Sequence, residues 1–529
     1  MLKALLPLRK WEFPRVWHGV VLSLSLVLFL FQMSARAQTQ PDSKKGSPDA
    51  SKTPKSGSAA ARGQTAKENA GKAAPAPDVE APAAAAPAAN VDPSKTRKIA
   101  PIEIFRDKRA EAWLDLAKLK PVTARPVTNA EILQLKAQAG DPNATIDQDL
   151  IKRVVAAMAA KLTEKNNVQA LVEGNQNPNS PATRGIQEAT TALLEPLFGA
   201  RSIKNLPFLQ IYHRELRNSL TPLLKNHLIP RVQAMIILGE SGAADFLPLY
   251  EAQIKDPNQT TWVKLWALEG IVNVVEEGGG RLTAQDQIVA AKTVSDYLDN
   301  EDGIPWPVQL RAMEALSAMR QGFEPNRPKK ADMANAAMSL LADGSAKFEV
   351  RSEAARALGL MQISASVTKY NYRLVGHSAA QLAAELGNRI ASGYAAKNQD
   401  RVNQDRAKYL TALLIGPVYQ AFDGVPGARD SGLVHVAAGD SATYVQSVFD
   451  LVKPVAKAAV DLTAAGSRQI PDRQKELVAR VAGLKDFLEK NAPADRHLVP
   501  EGAEFPVAFM PEVQLKAPAA PLAGKVKNR

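Results

Sequence analysis

The chain has 529 residues, 45% of them hydrophobic but only 5% aromatic, which allows two or three domains rich in small apolar side chains. It contains no cysteine, which excludes disulfides, thiolate metal sites, cysteine nucleophiles and lipid attachment at a processed cysteine. The net charge of +12 is concentrated early: residues 1–37 carry five Lys/Arg against one Glu and residues 38–100 carry ten against six Asp/Glu, leaving +4 for the rest and no basis for a general affinity for polyanions.

At the N-terminus, Lys3, Arg9, Lys10 and Arg15 precede the apolar run Val20–Phe31, and Ala35-Arg36-Ala37 offers the small residues a signal peptidase needs. The reading is an export signal over 1–37, cleaved after Ala37. The alternative is an uncleaved inner-membrane anchor over residues 16–35, about the length that spans a bilayer. Residues 38–100 are rich in Ala, Pro, Ser and Lys, as in Ala81-Pro-Ala-Ala-Ala-Ala-Pro87. Repeated proline blocks helices, and the apolar groups are too small to offset chain entropy, so this segment reads as a disordered spacer.

A helical region is predicted over 101–204. Arg106–Lys120 places Ala110, Trp113, Leu114 and Ala117 toward one side; Thr128-Asn-Ala-Glu131 is a capping-box pattern; Ile151–Leu162 keeps helical spacing. Polar residues 173–181 read as a loop, and helices resume at Thr183–Leu197 and Leu206–His227. The clearest unit follows at Pro230–Asp256: an apolar helix ending at Leu238-Gly239, a Gly/Ala turn, and a second amphipathic run.

Setting Arg231, Lys264, Gln309 and Arg351 in register aligns Ala234, Ala267, Ala312 and Ala354 in one column and Leu238, Ile271, Leu316 and Leu358 in another. Steps of 33, 45 and 42 residues are the length of a helix pair with variable loops. A small residue lets neighbouring helices approach, and the aliphatic residue four positions later fills the layer between them. Arg351-x-x-Ala354-Ala355-x-Ala357-Leu358-Gly359 and the Leu238-Gly239-x-x-Gly242 turn resemble HEAT repeats, in the short variety named after phycobilisome-lyase proteins. The resemblance covers 205–365, with Lys264 and Gln309 in place of the usual arginine and Ser317 in place of glycine. It implies an all-α fold, an α-solenoid of HEAT-like helix pairs with flanking helical regions. For function it implies little, since the family spans scaffolds, adaptors and a few enzymes.

Beyond Met361, Ser366–Val375 alternates as an extended connection, and Ser378-Ala-Ala-Gln381 caps a helix to about Ala396. Further helices are predicted at Asp405–Phe422, Ser441–Ala465 and Asp472–Asn491, making 366–491 a C-terminal helical region, with 492–529 a loose tail.

No catalytic, cofactor-binding or metal-binding set emerges. The six histidines, His18, His213, His227, His377, His435 and His497, lack metal-ligand spacing. Gly239-Glu-Ser-Gly242 resembles a nucleophile elbow, but it is followed by Ala243 and lies between helices; Gly278-Gly-Gly280 lacks the Lys-Ser/Thr of a phosphate loop. The acidic run Asp296–Asp302 lacks calcium-loop spacing and reads as a solvated loop. Trp262, Trp266 and Trp306 cluster at two repeat starts, as an aromatic partner-binding surface or as packing between repeats.

These features point to a non-enzymatic protein–protein interaction scaffold, exported to the periplasm or cell envelope of a bacterium. The expected partner is an envelope protein, with membrane contact only if the leader stays uncut and no specific nucleic acid. Alternatives are a nucleic-acid-binding solenoid and a lyase-like enzyme related to the phycobilisome-lyase proteins.

Overall fold

The computed structural model describes residues 107–172, 181–277, 282–327, 330–363, 367, 369–395, 400–428 and 430–507. All of them belong to one compact unit beginning at Ile104. The expectations for 1–37, 38–100, the 173–180 loop, Gly278-Gly-Gly280 and 508–529 lie outside the described residues.

The described chain is all-α. Its main helices are α1 (Asn129–Gly140), α2 (Gln148–Leu162), α3 (Lys165–Val172), α4 (Pro181–Ser202), α5 (Leu206–Leu220), α6 (Leu228–Glu240), α7 (Leu247–Lys255), α8 (Thr261–Glu277) and α9 (Ala284–Asn300). Then come α10 (Trp306–Met319), α11 (Asp332–Ala342), α12 (Phe348–Leu360), α13 (Tyr372–Gly393), α14 (Arg401–Leu413), α15 (Asp440–Thr463) and α16 (Ile470–Lys490). The α1 capping box forms as the sequence implies, with Glu131 N–H donating to Thr128 Oγ1 (3.2 Å) and Thr128 N–H to Glu131 Oε2 (2.8 Å).

From α6 to α12 the helices build two layers. Helices α6, α8, α10 and α12 pack side by side in one row, and α7, α9 and α11 form a second row against them. This is a solenoid of stacked helix pairs. Ala234, Ala267, Ala312 and Ala354 are fully buried between adjacent rows, and Leu238, Ile271, Leu316 and Leu358 are buried one turn later. The turn after α6 reverses the chain at Gly242, whose φ of +57° disfavours any side chain.

In three of the four copies the first residue acts as a forward clip. Arg231 is buried, stacks 4.0 Å from the Trp113 ring and donates from Nη1 to Gln259 Oε1 (3.0 Å) in the loop entering the next pair. Lys264 reaches Glu301 Oε2 (2.9 Å) after α9, and Arg351 reaches Glu385 Oε2 (2.7 Å) on α13. Gln309, in the same register, is half-buried.

Several boundaries differ from the sequence reading. Residues 107–120 are not one helix but a turn at Lys108–Glu111, a 3-10 turn at Leu116–Lys118 and extended backbone. Tertiary bonds override helix propensity here. Trp113 O accepts from Leu228 N–H (2.9 Å), Leu114 O meets His227 Nε2 (3.0 Å), and Lys120 exchanges bonds of 2.9 and 2.7 Å with Asn226. Leu206–His227 breaks at Leu220, and Pro222 sits in the 3-10 turn that follows. The predicted extended connection is replaced from Asn371 onward by the start of α13, where Asn371 Oδ1 accepts from Leu374 N–H (2.9 Å); Asn371, not Ser378, is the cap. The predicted 405–422 helix holds a π-helical turn, Leu414–Val418, around Pro417.

Helices α13, α15 and α16 form a three-helix bundle. α12 meets the segment 414–423 so closely that a Cβ on Gly359 would strike the Ala421 carbonyl. Residues 492–507, read as part of a loose tail, instead pack onto the bundle, with Leu498, Val499 and Phe505 buried.

Candidate functional site

The row α8–α10–α12 has one face that is not covered by the second row of helices. On α8 it carries Leu265, Glu269, Val272, Asn273 and Glu276, all half-buried or exposed within a helix otherwise mostly buried. The matching positions on α10 are Arg311 and Glu314, and on α12 Glu353 and Arg356. An i, i+3 spacing places each pair on one side of its helix.

These side chains interlock. Arg311 Nη1 lies 2.8 Å from Glu269 Oε2 on the neighbouring helix and 2.5 Å from Glu314 Oε2 on its own. Arg356 Nη1 lies 2.7 Å from Glu353 Oε1, which also accepts from Ser317 Oγ at 2.7 Å. Glu276 adds a further carboxylate that interacts with Glu269, Arg311 and Arg356. The group therefore sets Glu269, Glu276, Glu314 and Glu353 against two guanidinium groups, Arg311 and Arg356.

The recess is open to water but closely surrounded by protein: Glu314 keeps a quarter of its side-chain surface and Glu353 a tenth. Desolvation, followed by the charges of Glu269 and Glu353, raises Glu314 to about 7 despite its contact with Arg311. Desolvation and Glu269 likewise raise Glu276. Arg311 moves the opposite way relative to neutrality. Burial opposes its charge, but Glu269 and Glu314 outweigh that and keep it protonated. The two directions are compatible, because one guanidinium serves two carboxylates while a third crowds Glu314. Burial first, and then the neighbouring carboxylates, make Glu314 harder to ionise than an ordinary glutamate.

Among the sequence candidates, Trp266 is buried in α8, while Trp262 and Trp306 are half-buried in the first turns of α8 and α10. Trp266 thus packs within the stack, and its carbonyl lies 2.8 Å from where a Cβ on Gly239 would stand. In the acidic run, Glu301 is paired with Lys264 and Arg109, and Asp296 with Lys292. Among the described residues no group of three or more His, Asp and Glu is placed to hold a metal ion. The recess itself escaped the sequence reading, yet its signal was present. The positions one before and two after the aligned alanines read Gln233/Ile236, Trp266/Glu269, Arg311/Glu314 and Glu353/Arg356, turning charged along the stack.

Fold and site together define an all-α helix-pair solenoid with a charged, carboxylate-rich recess across adjacent repeats. No family model, curated protein or solved structure matches this chain. Among the described residues no helix is long and apolar enough to cross a membrane.

Proposed function

We propose that this chain is a non-enzymatic protein–protein interaction scaffold built on HEAT-like repeats and exported to the bacterial cell envelope. The observation that carries the reading is the recess of Glu269, Arg311, Glu314, Glu353 and Arg356 spanning three adjacent helices. Its excess of carboxylates suits Lys or Arg side chains of a partner protein and repels a phosphodiester backbone. A partner cation entering the recess displaces the proton of Glu314, so binding releases protons near neutral pH.

The test uses the full chain and a Glu269→Lys/Glu276→Lys variant in affinity capture from envelope fractions, with a photo-crosslinker at Val272. A partner crosslinked to the parent chain and lost from the folded variant supports the reading. Equal capture by both removes the recess as the contact surface, and no envelope protein above background removes the scaffold. With the captured partner, the calorimetric heat of binding at pH 7 should vary with the ionisation enthalpy of the buffer. N-terminal sequencing of the mature protein tests export, and an intact Met1 overturns cleavage after Ala37.

A further inference from the structure

The segment that follows α16 crosses the first half of α13 and is held there through its main chain. Asn371 Nδ2 donates to the carbonyls of Asp495 (3.0 Å) and His497 (3.1 Å), and Asn371 N–H donates to Leu498 O (2.9 Å). Arg373 Nη2 donates to Asn491 O (3.0 Å), and Gln381 Nε2 donates to Val507 O (2.6 Å). All these bonds read carbonyl oxygens, which any polypeptide carries. Side-chain recognition comes from Leu498, Val499 and Phe505, which are buried.

The seat is incompletely satisfied. On the same turns of α13, Arg373 Nε and Ser378 Oγ are buried without a hydrogen-bond partner, while His377 also faces the Val507 backbone. His377 Nδ1 meets Tyr444 Oη at 2.9 Å, and the Arg373 guanidinium lies 4.4 Å from the Tyr444 ring. Buried donors without acceptors weaken the strap's attachment. The strap also joins the bundle only through α16, across Asn491-Ala492-Pro493, and its own internal bonds, Phe505 N–H to Arg496 O (2.9 Å) and Gly502 N–H to Val499 O (2.8 Å), let it move as one piece.

We propose that residues 491–507 are a cis-bound ligand, a strap that detaches as a unit while the solenoid stays folded and leaves on α13 a groove for a main-chain segment of a protein partner. The partner segment presents carbonyl oxygens to Asn371, Arg373 and Gln381 and two apolar side chains at the seats of Leu498 and Phe505. This adds a second contact surface to the scaffold reading, but detachment is measured without any partner, so the two can fail separately.

The absence of native cysteine makes the test direct. Single variants Val499→Cys in the strap and Val274→Cys in α8, both nearly inaccessible positions, are compared by thiol-labelling kinetics in the full chain. Detachment is expected to label Val499→Cys at least 100-fold faster than Val274→Cys, and equal rates overturn the proposal. Should either variant fail to fold, hydrogen exchange on the unmodified chain decides. The Asn371 amide, which donates to Leu498 O across the contact, must exchange well before those of α8, and exchange only with global unfolding overturns it. A synthetic peptide of residues 491–507 should then bind a full-length Phe505→Ala chain at least tenfold more tightly than the parent chain. Binding to neither overturns the groove.

Discussion

Glu314 offers the sharpest test of the recess. Its ordinary value of 4.5 is raised to about 7, so between those pH values the folded state keeps a proton that the unfolded state has released. Stability from that proton is present below about pH 4.5 and is lost as pH rises toward 7. The gap corresponds to on the order of 3 kcal/mol at pH 8. Replacing Glu314 by Gln mimics the protonated carboxyl and removes that loss. The attraction to Arg311 is already contained in that gap, and Arg311 retains Glu269 at 2.8 Å. Glu314→Gln should therefore stabilise the chain by up to about 3 kcal/mol at pH 8 and by nothing, or less than nothing, at pH 4.5. Urea denaturation of both proteins across pH 4.5–8, read as a shift in midpoint at constant slope, measures this. A destabilised variant at pH 8, or a shift independent of pH, would refute the claim that burial and neighbouring carboxylates together keep Glu314 from ionising.

His377 has the opposite sign. Burial lowers it from 6.5 to about 4, so the unfolded state binds the extra proton first and stability is lost as pH falls from 6.5 toward 4. The loss is on the order of 2–3 kcal/mol. A His377→Gln chain should lose less stability over that window in the same titration, and parallel curves would contradict it. Gly359→Ala drives a methyl into the Ala421 carbonyl and should cost about 1–3 kcal/mol or more, seen as a lower melting temperature. Glu301→Ala strands the buried Lys264 and should cost about 3 kcal/mol, whereas Lys264→Met should cost under about 1 kcal/mol because Glu301, partly exposed, keeps Arg109 at 2.7 Å. Equal costs in chemical denaturation would argue against an obligatory pair at Lys264.

What was legible in the sequence follows from how repeats encode structure. The Ala and Leu columns sit where two helices must touch, and close contact restricts residue type strongly enough to show through 33 to 45 residues of variable loop. The 107–120 segment was misread because its side-chain spacing is helical while its main chain is bonded to Asn226, His227 and Leu228, partners more than a hundred residues away. Tyr370-Asn-Tyr-Arg alternates like a strand, but Asn371 caps α13 and, with Arg373, holds the strap. Trp262, Trp266 and Trp306 drew attention as large residues, yet aromatic bulk at a repeat start is as useful for filling a seam as for meeting a partner.

The recess also shows why function was harder to read than fold. A repeat alignment rewards identity down a column, and the positions flanking the aligned alanines differ from copy to copy: Gln and Ile, then Trp and Glu, then Arg and Glu, then Glu and Arg. Gln233, Ile236 and Trp266 are buried, whereas Glu269, Arg311, Glu314 and Arg356 keep part of their surface, so the face opens only along the later copies. Core positions converge on small and aliphatic residues because packing accepts little else. Open-face positions diverge, and the charge pattern that results, Glu269 against Arg311 and Glu314 beside Glu353 and Arg356, belongs to the stack rather than to any one repeat. In such a solenoid the fold lies in what the repeats share, and the site lies where they differ at positions in register with the shared core.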